Sequence, residues 1–548
     1  GLIALNDARG EVFSAVIGMD VEAGGPVSVT AQAQTAILST LLSNVSSSGG
    51  SAWGTGESLA VNGQIATNLV QSQAEALVLD SEIAATGAGA LGDVTVAARN
   101  AATLDATLAP STKAGDTAVS VTLAFNTLGW ESSNVLFSLV ETVLTDPLIS
   151  EELLGGLTYS SARAQVLNSD IDAAGAVAVT AESDELLNAT LSNSTVSEAS
   201  ALKGAEGKSI GFAVASNKIA GKAVAAIDNS GAAAGTQVSG DLGVSVVARD
   251  DILAFANTKL TSDSSTSNDG GAAVFQETLN DLTPADWVAT DDAQSVFLQH
   301  GQLVRLSDDF SGAGEAGKVY VWMGDDDVET DLAGATYTDP NFWKEFALSS
   351  IVPTGFNVSD SNSTGAAGLL VYNELRGGAT ARVIEAELRA SGGAILVEAV
   401  ENARMEARTD SIASSSGGSA LGEGTSLAVN GVIATNLLLA SADASVADSD
   451  LTAGGGADGD ITVRATNTGE LIAETLADTS TGDTAVGVLM AINSAGWSPT
   501  SRYLLALEAL IGSPEVSDAE FTDSFAGEQP VSATARVINS DLDASGAV

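Results

Sequence analysis

The chain contains no cysteine, so disulfides, thiolate metal sites and cysteine nucleophiles are excluded together. Histidine is almost as scarce: His300 is the only one, and its QHGQL context reads as an exposed turn residue rather than a general base. Basic residues are few, and 21 Lys and Arg against 70 Asp and Glu leave a net charge of −49. That charge repels nucleic-acid phosphates and anionic membrane surfaces, so neither is an expected partner. No uncharged apolar run reaches the roughly 18 residues that a membrane span needs. GxSxG, HExxH, the P-loop and GxGxxG in a strand-to-helix context are all missing, and no enzymatic activity is expected.

Aromatic residues make up only 4% of the 548 positions and there are 9 prolines, so bulky ring-filled cores and rigid stops shape little of the chain. What remains is a 45% hydrophobic composition carried mainly by Ala, Val, Leu and Ile, with 57 glycines for turns. This is too apolar for disorder despite the charge. It suits short-range turns and small-residue packing. The acidic surface attracts cations, and calcium is the expected counterion if one is needed.

Repetition is the strongest signal. Ser58 to Val70 (SLAVNGQIATNLV) and Ser426 to Leu438 (SLAVNGVIATNLL) agree at 11 of 13 positions with an offset of 368. Similar offsets pair Asn6 with Asn373, Asn126 with Asn493 and Asn168 with Asn539, so the chain holds one long period and the start of a second. A shorter period runs inside it, marked where an apolar stretch ends in Asn6, Asn62, Asn126, Asn217, Asn373, Asn430 and Asn493. A second element alternates apolar-x-apolar-x-Ala, as in Val27/Val29/Ala31, Val94/Val96/Ala98, Val177/Val179/Ala181, Val244/Val246/Ala248, Ile395/Val397/Ala399 and Ile461/Val463/Ala465. Period two is the strand signature, and Gly, Asp and Ser clusters precede these segments as turns.

A repeated unit that cannot bury its own apolar face stacks on copies of itself. The fold expected is therefore all-β, a parallel β-solenoid with rungs about 4.8 Å apart around a flat core. An array of stacked β-sandwiches is the architectural alternative. The recurring asparagines fit either a side-chain amide ladder at a solenoid corner or turn residues in left-handed backbone.

Two segments interrupt the pattern. Residues 131–158 carry Val135, Leu136, Leu139, Val140, Val143 and Leu144 at helical spacing, and SRYLLALEALIG occupies the equivalent place after Trp497. Residues 262–365 hold 11 of the chain's aromatics and predict a separate aromatic-rich β module, with LTSDSSTSNDGG and VSDSNSTGAAG as linkers. The expected organisation is a first solenoid block over 1–261, the insert module over 262–365, and a second block over 366–548 that breaks off mid-repeat.

The insert carries the candidate chemistry. Asp325, Asp326, Asp327, Glu329 and Asp331 could supply oxygen ligands to calcium or simply form a solvated acidic turn. Trp322, Tyr337 and Trp343 could stack on sugar rings if exposed, or pack as the module's core. A groove flanked by exposed aromatics, with a basic residue and two carboxylates, is the arrangement that would point toward polysaccharide binding or cleavage.

Units such as ARAQVLNSDIDAAGAVAVTA at Ala162 to Ala181, with Ala535 to Val548 and Val70 to Ala98, resemble the giant repetitive adhesin and filament proteins of aquatic and Gram-negative bacteria. The resemblance implies an extracellular, cell-surface β-solenoid that self-associates into a rod, filament or coat, with cell-surface glycans as a further candidate partner. It brings no catalytic residues with it.

Overall fold

The structure is a computed structural model that describes residues 1–48, 58–129, 160–200, 205–233, 235–267, 285–324, 327–339, 341–346, 361–417, 424–496 and 531–548. The helical segments expected at 131–158 and after Trp497 lie outside the described residues.

The chain is a parallel β-solenoid. Each complete rung has a long strand in sheet A, a four-residue strand in corner sheet B, and a long return strand in sheet C. The first rung runs Leu2–Ile17, Asp20–Ala23 and Val27–Ser47, and the second Leu59–Leu79, Glu82–Ala85 and Val94–Ala114. In the third, Thr117–Leu128 and Ser160–Leu167 share the sheet A position, followed by Asp170–Ala173 and Ala176–Ser200. The fourth runs Ala205–Asp228, Gln237–Gly240 and Gly243–Ser267; the fifth Ser361–Ile384, Glu387–Ala390 and Ala394–Ser416. Ser426–Ala447, Asp450–Ala453 and Ile461–Thr481 form the sixth, and Thr484–Ala495, Ser532–Ile538 and Asp541–Ala544 begin a seventh. A 21-residue strand such as Val94–Ala114 spans roughly 70 Å at 3.3 Å per residue, whereas each rung advances the stack by only about 4.8 Å. The result is a wide, thin ribbon, one long period advancing it by about 19 Å over four rungs.

The insert interrupts the sequence but not the stack. Ala205–Asp228 pairs with Ser361–Ile384 along its whole length, and Gly243–Ser267 pairs with Ala394–Ser416, so the fifth rung lies on the fourth as the second lies on the first. The stacked-sandwich alternative is thereby excluded. The first block extends to Ser267 and the second begins at Ser361, which corrects both expected boundaries. The described parts of the serine-rich stretches read as linkers, up to Ser267 and from Ser361, are strand ends: Ser209 and Ser262 hydroxyls lie 2.9 Å apart, and Ser363 Oγ donates to Ser264 O at 2.8 Å. Polar composition misled there because this end of the core is itself built from hydroxyls that stack from rung to rung.

The core is banded along its width. Next to the corner, Ala74, Ala76 and Val78 of sheet A face Val94, Val96 and Ala98 of sheet C, with Ile83 and Ala85 closing the end. The apolar-x-apolar-x-Ala triplets all begin sheet C strands and stack in one register: Val27, Val94, Val177, Val244, Ile395 and Ile461. Further in come a polar band, a Leu and Ile band around Val70, Leu104 and Leu187, an asparagine column, and an Ala and Leu band around Ala66 and Leu108. Small side chains let the sheets face each other closely, which leaves no room for aromatics and accounts for their scarcity.

The NSD motif builds the corner. Asp80, Asn168, Glu385, Asp448 and Asn539 have φ between 45 and 50°, the left-handed backbone that Asn and Asp adopt most readily. The serine after the turn then ladders: Ser81 N donates to Ser169 Oγ and Ser449 N to Ser540 Oγ, each at 3.1 Å, while each acceptor hydroxyl donates to the carbonyl two residues before it.

Candidate functional site

An asparagine column runs through sheet A, but not at a corner and not with all the expected members. Nδ2 of Asn6, Asn68, Asn126, Asn217, Asn373 and Asn436 each donates to Oδ1 of the next asparagine at 2.9 Å, ending on Asn493. The second amide hydrogen crosses the core to a sheet C carbonyl, as from Asn126 to Asn188 O at 2.7 Å and from Asn217 to Phe255 O at 2.8 Å. Asn62 and Asn430 are corrections. They lie six residues earlier on the same inward face, where they bond Ser43 and Ser411 at 2.9 and 2.7 Å, and Asn68 and Asn436 take the ladder positions. The column stitches rung to rung and sheet to sheet at once.

The polar band holds an acidic cluster. Asp250 stacks between Ser183 and Glu401 on the inward face of sheet C, and Glu185 lies beside them. All three carboxyls are buried. Sheet A makes room for Glu185 with glycine: a Cβ at Gly221 would fall 2.5 Å from Glu185 Oε1. Burial, and then the neighbouring Asp250, push the Glu185 carboxyl well above its ordinary range, and Glu401 likewise. Burial raises Asp250 to about 7 against the pull of its contacts with Glu401, Gly378 N–H and Ser183.

The insert folds as a small β module, with Trp287–Ala289, Leu303–Leu306, Val319–Trp322 and Trp343–Phe346 in one sheet and Ser295–Leu298 paired with Val328–Asp331. Trp322, Tyr337 and Trp343, the candidate sugar platforms, are 4%, 1% and 4% exposed and form its core with Phe310 and Tyr320. Their faces are covered by one another, Tyr337 and Trp343 having centroids 4.5 Å apart. In the acidic loop, Asp325 and Asp326 lie outside the described residues. Asp327 accepts a hydrogen bond from Gln299 Nε2 at 2.5 Å, Asp331 accepts the Gln294 and Ala333 backbone N–H groups, and Glu329 is exposed. Among the described residues no group of three or more His, Asp or Glu is placed to hold a metal ion, and Asp327 and Asp331 serve as local hydrogen-bond acceptors. His300 sits in a turn but is half-buried, Nδ1 being 3.1 Å from Gly324 O, and burial with nearby Arg408 lowers its pKa.

The module docks on the outer face of sheet C. Thr107 Oγ1 lies 2.7 Å from Asn341 Oδ1, Asn257 Nδ2 donates to Met323 O, and Lys344 Nζ donates to Thr261 Oγ1 at 3.1 Å. Lys344 is buried, and burial together with Lys259 pushes its pKa well down. Asp410 is the counter-charge: burial raises its carboxyl, but Lys259 at 2.6 Å outweighs this and holds it below the usual range. Replacing Asp410 by Ala leaves the buried Lys259 without its counter-charge, and loss of one partner from a buried pair costs about 3–5 kcal/mol. Asp410→Ala is therefore expected to release the module, read as faster proteolysis of the insert with the solenoid's circular dichroism unchanged.

Between module and sheet lies a cleft of about 390 Å³. Its floor is made of outward residues from four stacked strands, including Asp105, Asn188, Phe255 and Glu406, and its wall of Met323, Gly324, Asn341 and Phe342. Arg408 reaches it, with Nε 3.5 Å from Glu406. Burial raises the Asp105 pKa, opposed by hydrogen bonds from Thr107 and Asn188. Sequence reading missed every floor residue, because they are scattered over some 300 positions and only the stack assembles them. Compared with known proteins, the chain matches no family model, no curated protein and no solved structure. No helix among the described residues is long and apolar enough to cross a membrane.

Proposed function

We propose that the chain is a stretch of an extracellular structural and adhesive repeat protein, a ribbon-like solenoid that lengthens by adding rungs and displays one insert per long period. The observation that carries this reading is the fifth rung lying on the fourth in unbroken register, with Asn217 bonded to Asn373 across 156 residues. Where the long period restarts, the stack continues, so repetition translates into length rather than into separate domains. Repeated display of one module then gives avidity from individually weak contacts. The role is mechanical and non-catalytic. It agrees with the resemblance of the NSD-type units to giant adhesin and filament proteins. Calcium enters as a counterion for the surface carried by 70 acidic residues, able to bridge neighbouring ribbons.

Electron microscopy of the chain with and without a calcium chelator tests the proposal. Uniform ribbons of constant width are expected in both conditions, with lateral association lost in chelator. Compact particles of irregular outline would reject it.

A further inference from the structure

We propose that the cleft between the insert and sheet C binds an uncharged glycan segment, one site per long period. The proposal deepens the adhesive reading by naming its partner, and it rests on that reading only for the site's repetition along the ribbon.

Three features of the cleft carry it. First, Phe342 is 48% exposed at the wall and stacks almost parallel on buried Trp322, with centroids 5.6 Å apart and planes 11° from each other. A flat apolar face held from behind suits the C–H side of a pyranose ring. Second, the polar lining is dominated by uncharged groups, the amides of Asn188, Asn257 and Asn341 with Thr190; each amide is oriented by one internal hydrogen bond, to Asp105, Met323 O and Asp339, and keeps a second amide hydrogen for a ligand hydroxyl. Third, the charges present are unsuited to an anionic chain: Glu406 is already engaged by Arg404 and Arg408, Asp105 adds a carboxyl, and the protein carries −49 overall. Uronates and sulfated polymers are thus disfavoured. The volume of about 390 Å³ is within the range of small-ligand sites, and the open side lets a longer chain continue past it. A peptide strand could not join the floor, because the four floor strands are already paired on both sides.

The test is isothermal titration of the whole chain with neutral hexasaccharides of β-1,4-glucose, α-1,4-glucose, β-1,4-mannose and β-1,4-N-acetylglucosamine, with oligogalacturonate as the anionic comparison. Binding of at least one neutral probe is expected, weakened tenfold or more in Phe342→Ala and in Asn188→Ala, and unchanged in Phe297→Ala, which alters a 61% exposed ring on the same module away from the cleft. No neutral probe binding at millimolar concentration overturns the proposal. So does binding of oligogalacturonate alone, or an equal loss in Phe297→Ala. Any of these outcomes leaves the ribbon seen by microscopy untouched, and a failure of the ribbon would leave the titration unaffected.

Discussion

Asn217→Ala is expected to destabilise the middle of the solenoid by about 3 kcal/mol or more, because it orphans three buried partners at once. Asn126 loses the acceptor of its amide, Asn373 Oδ1 loses its donor, and Phe255 O loses the bond that ties sheet C to sheet A. Each buried polar group left unpaired costs about 1–3 kcal/mol. The damage should be local, since stability in a stacked array is a sum over rungs and their neighbours. Hydrogen exchange is expected to rise in the third to fifth rungs while the first and sixth keep their protection. Asn62→Ala is the comparison, because Asn62 is buried yet off the column and bonds a half-buried Ser43. It should shift the guanidinium midpoint by less than half as much. Equal shifts would mean that the column is ordinary buried amide bonding.

Stability is expected to fall as pH rises from about 4 toward 8, and Asp250→Asn should flatten that fall. Below the ordinary carboxyl values of 3.8 and 4.5, Glu185, Asp250 and Glu401 hold their protons in both folded and unfolded chains. Above those values the unfolded chain releases them. The folded chain retains the Asp250 proton until about pH 7, and burial holds those of the two glutamates well above their ordinary range. The unfolded state therefore binds fewer protons in this window, and stability decreases with pH. One proton corresponds to a slope of about 1.4 kcal/mol per pH unit. Asp250→Asn removes that contribution with a side chain of nearly the same shape, so the variant should be the more stable protein at pH 8 and differ little at pH 4. Self-repulsion of the −49 surface acts on both proteins alike, and the difference between their denaturation midpoints isolates the cluster. Parallel pH profiles would show that the cluster does not titrate between these limits.

The solenoid was legible because its inward positions are small and strictly alternating. Val94, Val96 and Ala98 announce a strand, and their copies at Val244 and Ile395 announce a stack. Register was not legible. Asn62 and Asn68 are an even number of residues apart and both point inward, so periodicity cannot choose between them. Only rung length decides, and it varies: successive ladder asparagines are 62, 58, 63 and 57 residues apart in uninterrupted rungs. The acid cluster was hidden by abundance, although one signal was available: Glu185 occupies the inward phase set by Val179, Ala181 and Leu187. The insert's aromatics marked a separate core but not its outside, since composition does not distinguish exposed Phe342, in the turn before the strand, from buried Trp343, the strand's first residue. The cleft floor had no sequence signature, being outward-phase residues of four separate rungs, Phe255 among polar neighbours.

The account's central claim is that the stack is continuous where the long period restarts, and the absence of native cysteine makes it directly testable. Ser245 and Leu396 are register partners on the outward phase of adjacent sheet C strands, on either side of the insert. In the double variant Ser245→Cys with Leu396→Cys, mild oxidation is expected to form an intramolecular disulfide nearly quantitatively, seen as a mobility shift reversed by reductant. Shifting the second substitution to Val400→Cys, four residues along the strand, should abolish it, because about 13 Å then separates the two positions. Failure of the first pair to cross-link in the folded chain, or equal cross-linking of both, would contradict the continuous solenoid.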